Sequence, residues 1–126
     1  MTVKRKVGYI GLGNIGKPSA ERLIGDAFEA HVFDVYQPAV DELAEKGAIA
    51  CSSVKALAGH CDHIGICVRD DDQVEDLLYG DEGILASASA GTVVAIHSTV
   101  TQAGLLKWAE DARAADIHLI DAPITG

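Results

Sequence analysis

Short apolar runs alternate along the chain with longer stretches in which apolar residues recur at helical spacing. The apolar runs predict strands at residues 7–10, 30–33, 49–51, 63–68, 92–96 and 117–120. The longer stretches predict helices at residues 14–24, 38–46, 53–58, 71–78 and 101–114. Strands that alternate with helices indicate βαβ units, in which the strands pair in parallel. We therefore expect an α/β fold with a mainly parallel, six-stranded, doubly wound sheet.

Several residues mark where the predicted helices begin and end. Pro38 suits the first turn of a helix, and Gly47 suits the position just after its end. Gly59 is expected to end the next helix in the same way. Aspartates occupy positions 70–72, where they complement the positive end of the dipole of the helix at 71–78. These signals support the helix assignments independently of the apolar pattern.

The composition is typical of one acidic globular domain. The chain has 126 residues, of which 48% are hydrophobic but only 5% aromatic, so Val, Ile, Leu and Ala must build the core. The net charge of −9 argues against a nucleic-acid partner, because such a partner requires a basic face. The basic residues 4–6 are interpreted as a solvated edge before the first strand.

The sequence shows no sign of a membrane-bound or secreted protein. No apolar run reaches the ~18 residues of a membrane-spanning helix, and the N-terminus lacks the hydrophobic run of a signal peptide. The three cysteines have no paired spacing, which favours a reduced, cytoplasmic location. The consecutive residues His60, Cys61, Asp62 and His63 point in different directions, so we expect no metal site.

A glycine-rich motif follows the first predicted strand and opens the first predicted helix. It has the pattern G-x-G-x-x-G: Gly11-Leu12-Gly13-Asn14-Ile15-Gly16. In this strand–turn–helix context the pattern is typical of Rossmann-type dinucleotide-binding domains. Gly11 permits the tight turn, Gly13 lets a pyrophosphate approach the backbone, and Gly16 lets the helix lie close to the strand. We expect the motif to bind the cofactor; the alternative is a glycine-rich turn without a ligand.

Asp34, at the end of the second predicted strand, indicates which cofactor is bound. A carboxylate at this place in a dinucleotide-binding fold accepts hydrogen bonds from the adenine-ribose hydroxyls of NAD. It would repel the additional phosphate of NADP, and residues 35–37 offer no Arg or Lys to receive that phosphate. We therefore expect NAD rather than NADP. The alternative role for Asp34 is to cap the helix that begins at Pro38, and both roles can coexist.

Four segments together resemble the N-terminal domain of the β-hydroxyacid dehydrogenases, the group of 3-hydroxyisobutyrate dehydrogenase and 6-phosphogluconate dehydrogenase. The resemblance spans the whole chain, and the last two segments are more specific than the glycine motif. The segments are residues 7–18 with Pro18 after the third glycine, Cys67-Val68-Arg69-Asp70 followed by Gln73, His97-Ser98-Thr99-Val100-Thr101, and Asp121-Ala122-Pro123-Ile124-Thr125-Gly126.

The resemblance implies roles for individual residues. Those that would contact the cofactor are Val68, Arg69, Gln73 and Thr99. Those that would approach the substrate acid are Ser98, Thr125 and Gly126. The catalytic lysine of the family lies beyond Gly126, in an all-helical second domain that completes the active site, so we expect no catalytic residue within residues 1–126. Oligomerisation is expected to occur through that second domain.

The chain also departs from the family pattern. Arg69 stands where proline is frequent, Thr125 where serine is usual, and His97 is unusual before Ser-Thr. His97 is interpreted as a cleft-lining or hydrogen-bonded residue, with a general base as the alternative. Lys107 lies in the middle of a charged helix and is expected to be solvated rather than catalytic.

These features lead to one preferred function and one alternative. The preferred function is that of an NAD(P)-binding domain, residues 1–126, of an oxidoreductase. That enzyme would transfer a hydride between NAD and a small β-hydroxyacid similar to 3-hydroxyisobutyrate. By itself the 126-residue chain is expected to be inactive. The alternative is a stand-alone module that binds or senses NAD without catalysis.

Overall fold

Strands and helices alternate along the chain. The computed structural model describes residues 5–14 and 16–122. The strands among them are β1 (Arg5–Ile10), β2 (Phe28–Phe33), β3 (Ile49–Ala50), β4 (His63–Ile66), β5 (Val93–Ile96) and β6 (His118–Asp121). The helices are α1 (Gly16–Glu21), α2 (Gln37–Glu45), α3 (Val54–His60), α4 (Asp71–Leu78), α5 (Ile84–Ser87) and α6 (Gln102–Ala114).

The strands form one six-stranded sheet in the order β3-β2-β1-β4-β5-β6. Every neighbouring pair is parallel, so the sheet is wholly parallel rather than mainly so. The chain first builds outward from β1 to β3 and then crosses over to β4, which pairs with the other edge of β1. This change of direction between β1 and β4 is the place where α/β sheets of this kind bind their ligands. The expected Rossmann-type, doubly wound fold is confirmed.

Polar side chains at three helix starts replace the missing backbone partners of the first turn. The carboxylate of Asp70 accepts a hydrogen bond from the amide of Gln73 at 3.0 Å. The hydroxyls of Ser53 and Thr101 accept in the same way from amides three residues further on, also at 3.0 Å. Ser53 and Thr101 are therefore caps, and the helices predicted to begin at these residues begin one position later.

Other predicted boundaries were wrong for local reasons. The first helix was predicted at 14–24 but spans Gly16–Glu21, since the chain leaves it through two tight turns in which Leu23 and Ile24 donate to the carbonyls three residues earlier. Gly59 lies inside α3 instead of ending it. The short helix α5 was not predicted, because its four residues are too few to show a helical period.

Two apolar cores lie on opposite faces of the sheet. The first packs β1, β4 and β5 against α3, α4, α5 and α6, and it includes the fully buried Trp108. The second packs β1 and β2 against α1 and α2, with Leu43 fully buried. Adjacent residues of β1 serve different faces, since Tyr9 belongs to the second core and Ile10 to the first. Helices on both faces thus hold the sheet and fix the positions of its strand ends.

Two further findings concern the described residues alone. Across residues 5–14 and 16–122, no helix is long and apolar enough to cross a membrane. Over the same ranges, no group of three or more His, Cys, Asp or Glu side chains is arranged to hold a metal ion.

Candidate cofactor-binding site

The carboxyl ends of neighbouring strands are aligned. Ile10 pairs with Phe33 on one side and with Ile66 on the other, and Ile66 pairs with Ile96. The next residue of each strand therefore lies in a common row along this edge of the sheet. The row consists of Asp34, Gly11, Cys67, His97 and, after β6, Ala122. Gly11 and Asp34, which were predicted to bind the cofactor, are in this row, and the predicted residues Leu12, Val68 and Ser98 directly follow it.

A cavity of about 550 Å³ opens above the ends of β1, β2 and β4. Its walls come from the glycine motif, the end of β2, the segment after β4 and one face of α4. The lining residues are Ile10, Gly11, Gly13, Asn14, Gly16, Phe33, Asp34, Val35, Cys67, Val68, Arg69, Gln73, Asp76 and Leu77. The cavity lies at the change of direction of the sheet, where a dinucleotide is expected.

The structure gives different reasons for the presence of glycine at the three fixed positions of the motif. Gly11 has a φ of 97°, and a Cβ there would lie 2.0 Å from the carbonyl oxygen of Cys67. A Cβ at Gly16 would lie 1.8 Å from the carbonyl oxygen of Gly11. Gly13 differs, because a Cβ there would meet nothing within 4 Å. The protein itself thus requires glycine at Gly11 and Gly16, whereas Gly13 leaves open space beside the backbone at the cavity.

Both oxygens of the Asp34 carboxylate accept backbone hydrogen bonds. Oδ2 accepts from the amide of Leu12 at 2.6 Å, and Oδ1 accepts from the amide of Tyr36 at 2.9 Å. Tyr36 itself is the N-cap of α2, and no side chain caps that helix. The alternative in which Asp34 caps the helix is therefore not observed. Instead the carboxylate joins the end of β2 to the glycine motif.

Among the described residues, Asp34 shares the cavity with one further acidic side chain and one basic side chain. Val35 and Tyr36, which follow it, are 93% and 66% exposed and carry no charge. A second carboxylate, that of Asp76 on α4, lines the same cavity. Arg69, on the segment after β4, is the basic residue among those that line the cavity in the described part of the chain. The end of the cavity at Asp34 therefore lacks a basic neighbour in sequence that could receive an additional phosphate.

The segment after β4 is held by its own polar groups. The amide of Arg69 donates to the side-chain oxygen of Gln73 at 2.7 Å, while the Asp70 cap holds the amide of Gln73. The amide of Val68 donates to the hydroxyl oxygen of Ser98 at 2.8 Å. Ser98 is 4% exposed, so its buried hydroxyl ties the end of β5 to the cavity wall. The expected approach of Ser98 to a substrate stays a prediction.

The His97 ring makes one contact through its edge and one through its face. Its Nδ1 lies 2.8 Å from the carbonyl oxygen of Ala122, and its ring stacks on that of Tyr9 with centroids 5.7 Å apart and planes 7° apart. His97 does not line the cavity formed by the described residues. The interpretation of His97 as a hydrogen-bonded residue agrees with this geometry.

The predicted cofactor residues fall into three groups. Those that line the cavity are Gly11, Gly13, Asn14, Gly16, Asp34, Val68, Arg69 and Gln73. Leu12 is buried, with its amide bound to Asp34, and exposed Thr99 does not line the cavity among the described residues. Ile15 lies outside the described residues, as do Thr125 and Gly126, which were predicted to approach the substrate.

Sequence reasoning missed part of the lining, although signals were present. Ile10 and Phe33 end their strands, and Cys67 directly follows β4. Asp76 and Leu77 are three and four positions after Gln73, which places all three on one face of a helix. The residues at the strand ends could have been found from the predicted ends of the strands. Asp76 and Leu77 could have been found from the helical period, starting from Gln73.

Lys107 is not among the described residues that line the cavity. It lies on α6, its side chain is 61% exposed, and its Nζ is 3.3 Å from the carboxylate of Glu75. The indole Nε1 of Trp108 donates to the same oxygen at 2.9 Å. The Trp108 hydrogen bond, and then Lys107, hold the pKa of Glu75 below its usual value. The expected surface position of Lys107 is confirmed.

The fold and the cavity define a Rossmann-type nucleotide-binding domain. Residues 6–126 match the family described as the NAD binding domain of 6-phosphogluconate dehydrogenase, and the chain belongs to this family. The expected family relationship, drawn from four sequence segments, is therefore confirmed.

Curated relatives are oxidoreductases considerably longer than this chain. An uncharacterized oxidoreductase of Mycobacterium tuberculosis (strain ATCC 25618 / H37Rv) is 42% identical over 96% of this chain and 41% of its own length. The 2-(hydroxymethyl)glutarate dehydrogenase of Eubacterium barkeri is 34% identical over 96% of the chain and 40% of its own length. The NAD-dependent L-serine dehydrogenase of Pseudomonas aeruginosa is 33% identical over 97% of the chain and 41% of its own length. The chain spans about two fifths of these relatives.

Solved structures share the fold over nearly the whole chain. An oxidoreductase from Mycobacterium avium 104 has a TM-score of 0.88 at 42% identity, covering 95% of this chain and 42% of that one. Psf3, solved in complex with NADP+ and 2-OPP, has a TM-score of 0.89 at 26% identity, covering 95% of this chain and 43% of that one. NADP+ is thus bound by proteins of similar structure, and the class of cofactor is NAD(P).

Proposed function

We propose that this chain binds NAD in the cavity above β1, β2 and β4, and that it binds NAD in preference to NADP. The observation that carries the proposal is Asp34, which lines this cavity with no basic residue at 35–37. The residues around it fit a dinucleotide. Open space beside Gly13 suits a pyrophosphate, and the mostly apolar segment of Cys67 and Val68 suits a flat ring.

The carboxylate of Asp34 keeps the capacity to bind ribose. An ionised carboxylate has about four lone-pair positions, and backbone amides use two of them here. The remaining positions accept the hydrogens of the 2′- and 3′-hydroxyls of the adenine ribose. A 2′-phosphate would bring negative charge against Asp34, and the carboxylate of Asp76 lines the same cavity. Like charges in a partly desolvated site disfavour NADP.

The parent protein is proposed to oxidise small β-hydroxyacids or to reduce the corresponding carbonyl acids. The named relatives from E. barkeri and P. aeruginosa act on small acids that carry a hydroxyl group. Bound NAD would supply the hydride acceptor. The residues of this chain proposed to face the substrate are Ser98, Thr125 and Gly126. The acid or base of the reaction is proposed to be a lysine outside residues 1–126.

The organisation of the parent protein is part of the same proposal. Residues 1–126 would form the cofactor-binding domain, and an all-helical domain would complete the active site and join subunits into a homo-oligomer. This division fits the relatives, of which the chain spans about two fifths. We propose a cytoplasmic location on the basis of the three cysteines, none of which is paired in the described residues.

Calorimetric titration of the chain with NADH and with NADPH tests the proposal directly. We expect NADH to bind about ten- to a hundredfold more tightly, which corresponds to on the order of 1–3 kcal/mol for an adverse contact between a carboxylate and a phosphate. Equal dissociation constants for the two cofactors would contradict the role of Asp34. The absence of binding by either cofactor would contradict the assignment of the cavity.

A further inference from the structure

A second cavity adjoins the proposed cofactor cavity. It has a volume of about 480 Å³ and lies between the start of α3, at Ser52 and Ser53, and the end of α4, at Tyr79. Phe33 and Asp76 line both cavities, so these two residues form the wall that the cavities share. The space open to a ligand therefore extends past the cavity above β1, β2 and β4.

The row of strand ends leads from the glycine motif toward this second cavity. Gly11 lies beside Asp34 in the row. The register of β3 against β2 continues the row to Ser52, which lines the second cavity. The proposed function puts the pyrophosphate beside Gly13 and the adenine ribose at Asp34. The base, attached to the far side of that ribose, would then lie at the wall shared by the two cavities.

The surfaces next to this wall are mostly apolar. Val35, which lines the first cavity, is 93% exposed. Phe33 and Leu77 line the same cavity, and both are partly buried against the first core. Binding sites of this kind use apolar surfaces for contact and a few polar groups for specificity. The apolar residues suit the flat faces of a purine, and its edge requires a polar partner.

Asp76 is the polar residue of the shared wall. It follows Gln73 by three positions on α4, so both side chains are on the helix face that lines the first cavity. Asp76 is exposed and makes no hydrogen bond or ion pair with another described residue. An ionised carboxylate can only accept hydrogen bonds, and the 6-amino group at the edge of adenine is a donor.

We propose that Asp76 recognises the base of the cofactor by accepting a hydrogen bond from the 6-amino group of adenine. A 6-oxopurine such as hypoxanthine has a carbonyl oxygen at this position, so two acceptors would face each other. Asp76 thus selects adenine dinucleotides, whereas Asp34 selects the ribose without a 2′-phosphate. This inference rests on the proposed function, because it assumes that a dinucleotide occupies the first cavity.

Calorimetric titration of this chain with two dinucleotides tests the assignment. The probes are NADH and reduced nicotinamide hypoxanthine dinucleotide, which differ in the purine alone. We expect the unmodified chain to bind NADH about tenfold more tightly, because the analogue loses a hydrogen bond to a charged group. In Asp76→Ala this preference should disappear through weaker binding of NADH.

Asp76→Asn gives a result that damage to the fold cannot produce. The side-chain amide of Asn can donate to the carbonyl oxygen of hypoxanthine as well as accept from the amino group of adenine. We therefore expect the preference for NADH to fall below about threefold, with tighter binding of the hypoxanthine analogue than in the unmodified chain. A chain that folds poorly would bind both dinucleotides more weakly.

Asp72→Asn is the matched control. Asp72 is an exposed aspartate four positions before Asp76 on α4, and it is not among the described residues that line either cavity. Its replacement removes the same charge from the same helix, so the tenfold preference for NADH should persist.

Two results would overturn the role of Asp76. One is equal affinity of the unmodified chain for the two dinucleotides, and the other is an unchanged preference in Asp76→Asn. Either result leaves the proposed function intact if NADH still binds more tightly than NADPH. Failure of the unmodified chain to bind NADH would overturn the proposed function itself, and this inference with it.

Discussion

The carboxylate of Asp34 accepts a hydrogen bond of 2.6 Å from the backbone amide of Leu12. This bond joins the end of β2 to the middle of the glycine motif. The residue proposed to select the cofactor therefore also holds the loop that would receive the pyrophosphate. Substitutions of Asp34 change both properties, so their effects on selectivity and on loop stability must be measured separately.

Replacing Asp34 by Asn and by Ala separates these two roles. Both variants lose the negative charge, so we expect the preference for NADH over NADPH to fall about tenfold or more in each. Asn keeps one oxygen that can accept from Leu12, whereas Ala keeps none. We therefore expect Ala to cost about 1 kcal/mol more in the free energy of unfolding. Calorimetric titration and urea denaturation measure the two effects.

The outcome that would contradict this account is a preserved preference for NADH in the Asn variant. Such a result would mean that cavity shape, and not the charge of Asp34, excludes NADPH. Asp76→Asn is the matched comparison, because Asp76 lines the cavity but has no position in the glycine loop. It should reduce the preference less than either substitution of Asp34.

Gly13→Val should abolish cofactor binding while leaving the fold intact. A Cβ at Gly13 meets nothing within 4 Å and the residue is exposed, so the protein itself has room for a branched side chain. That side chain would occupy the space proposed for the pyrophosphate. Circular dichroism and thermal unfolding should resemble those of the unmodified chain, and titration with NADH should show at least a hundredfold loss of affinity.

Gly16→Ala is the contrasting variant in the same motif. Its Cβ would lie 1.8 Å from the carbonyl oxygen of Gly11, so we expect loss of stability in addition to loss of binding. A Gly13→Val chain that binds NADH normally would show that the pyrophosphate lies elsewhere.

The sequence predicted the fold correctly because the relevant signals are local. The strands that end at Ile10, Phe33 and Ile96 are short apolar runs, and their predicted ends match the observed ones. The helix at Asp71–Leu78 was predicted with both ends correct, and its start is marked by the aspartates at 70–72, the first of which caps it. Gly59 misled the prediction, since the interior of a helix tolerates a glycine at a modest cost in stability.

The parts of the site that could not be predicted depend on contacts distant in sequence. Nothing near Asp34 indicates that its carboxylate accepts from Leu12, which is 22 positions away. In the same way, the bond between Ser98 and Val68 joins residues 30 positions apart. Only the register of the strand ends brings these groups together. A motif predicts which residue types are present, whereas the sheet determines which atoms they meet.

Tyr9→Phe should reduce the loss of stability at alkaline pH. Burial raises the pKa of Tyr9 to about 12, an effect that the neighbouring Ser19 partly offsets. The folded chain holds this proton more tightly than the unfolded chain. The resulting contribution of Tyr9 to the free energy of unfolding is therefore complete below the ordinary pKa of 10.0 and is lost as pH rises toward 12. The contribution is on the order of 2 kcal/mol.

Urea denaturation at pH 8.5 and 11 measures this effect. The difference between the two unfolding free energies should be smaller in Tyr9→Phe than in the unmodified chain. It should not vanish, because burial also raises the pKa of Tyr79 and that of Cys61. An identical difference in both chains would mean that the Tyr9 hydroxyl is exposed to solvent in the folded state.

The 126-residue chain is expected to bind NAD without oxidising hydroxyacids. Among the described residues that line the cavity there is no lysine or histidine to act as acid or base, and such a group typically contributes a factor of about 10² to 10⁴. Lys107 does not supply it, because this residue pairs with Glu75 on the surface.

The assay combines the chain, NAD and a panel of β-hydroxyacids, and it is repeated with a chain continued to the length of the relatives. Lys107→Met in the longer chain should leave the rate unchanged, which separates this lysine from a catalytic one. Turnover by the short chain at a rate near that of the long one would contradict the proposal, and Asp76 would be the first residue to test. If the long chain also binds NAD without turnover, the stand-alone binding module becomes the better description, because the cavity would then bind a cofactor that no part of the protein uses.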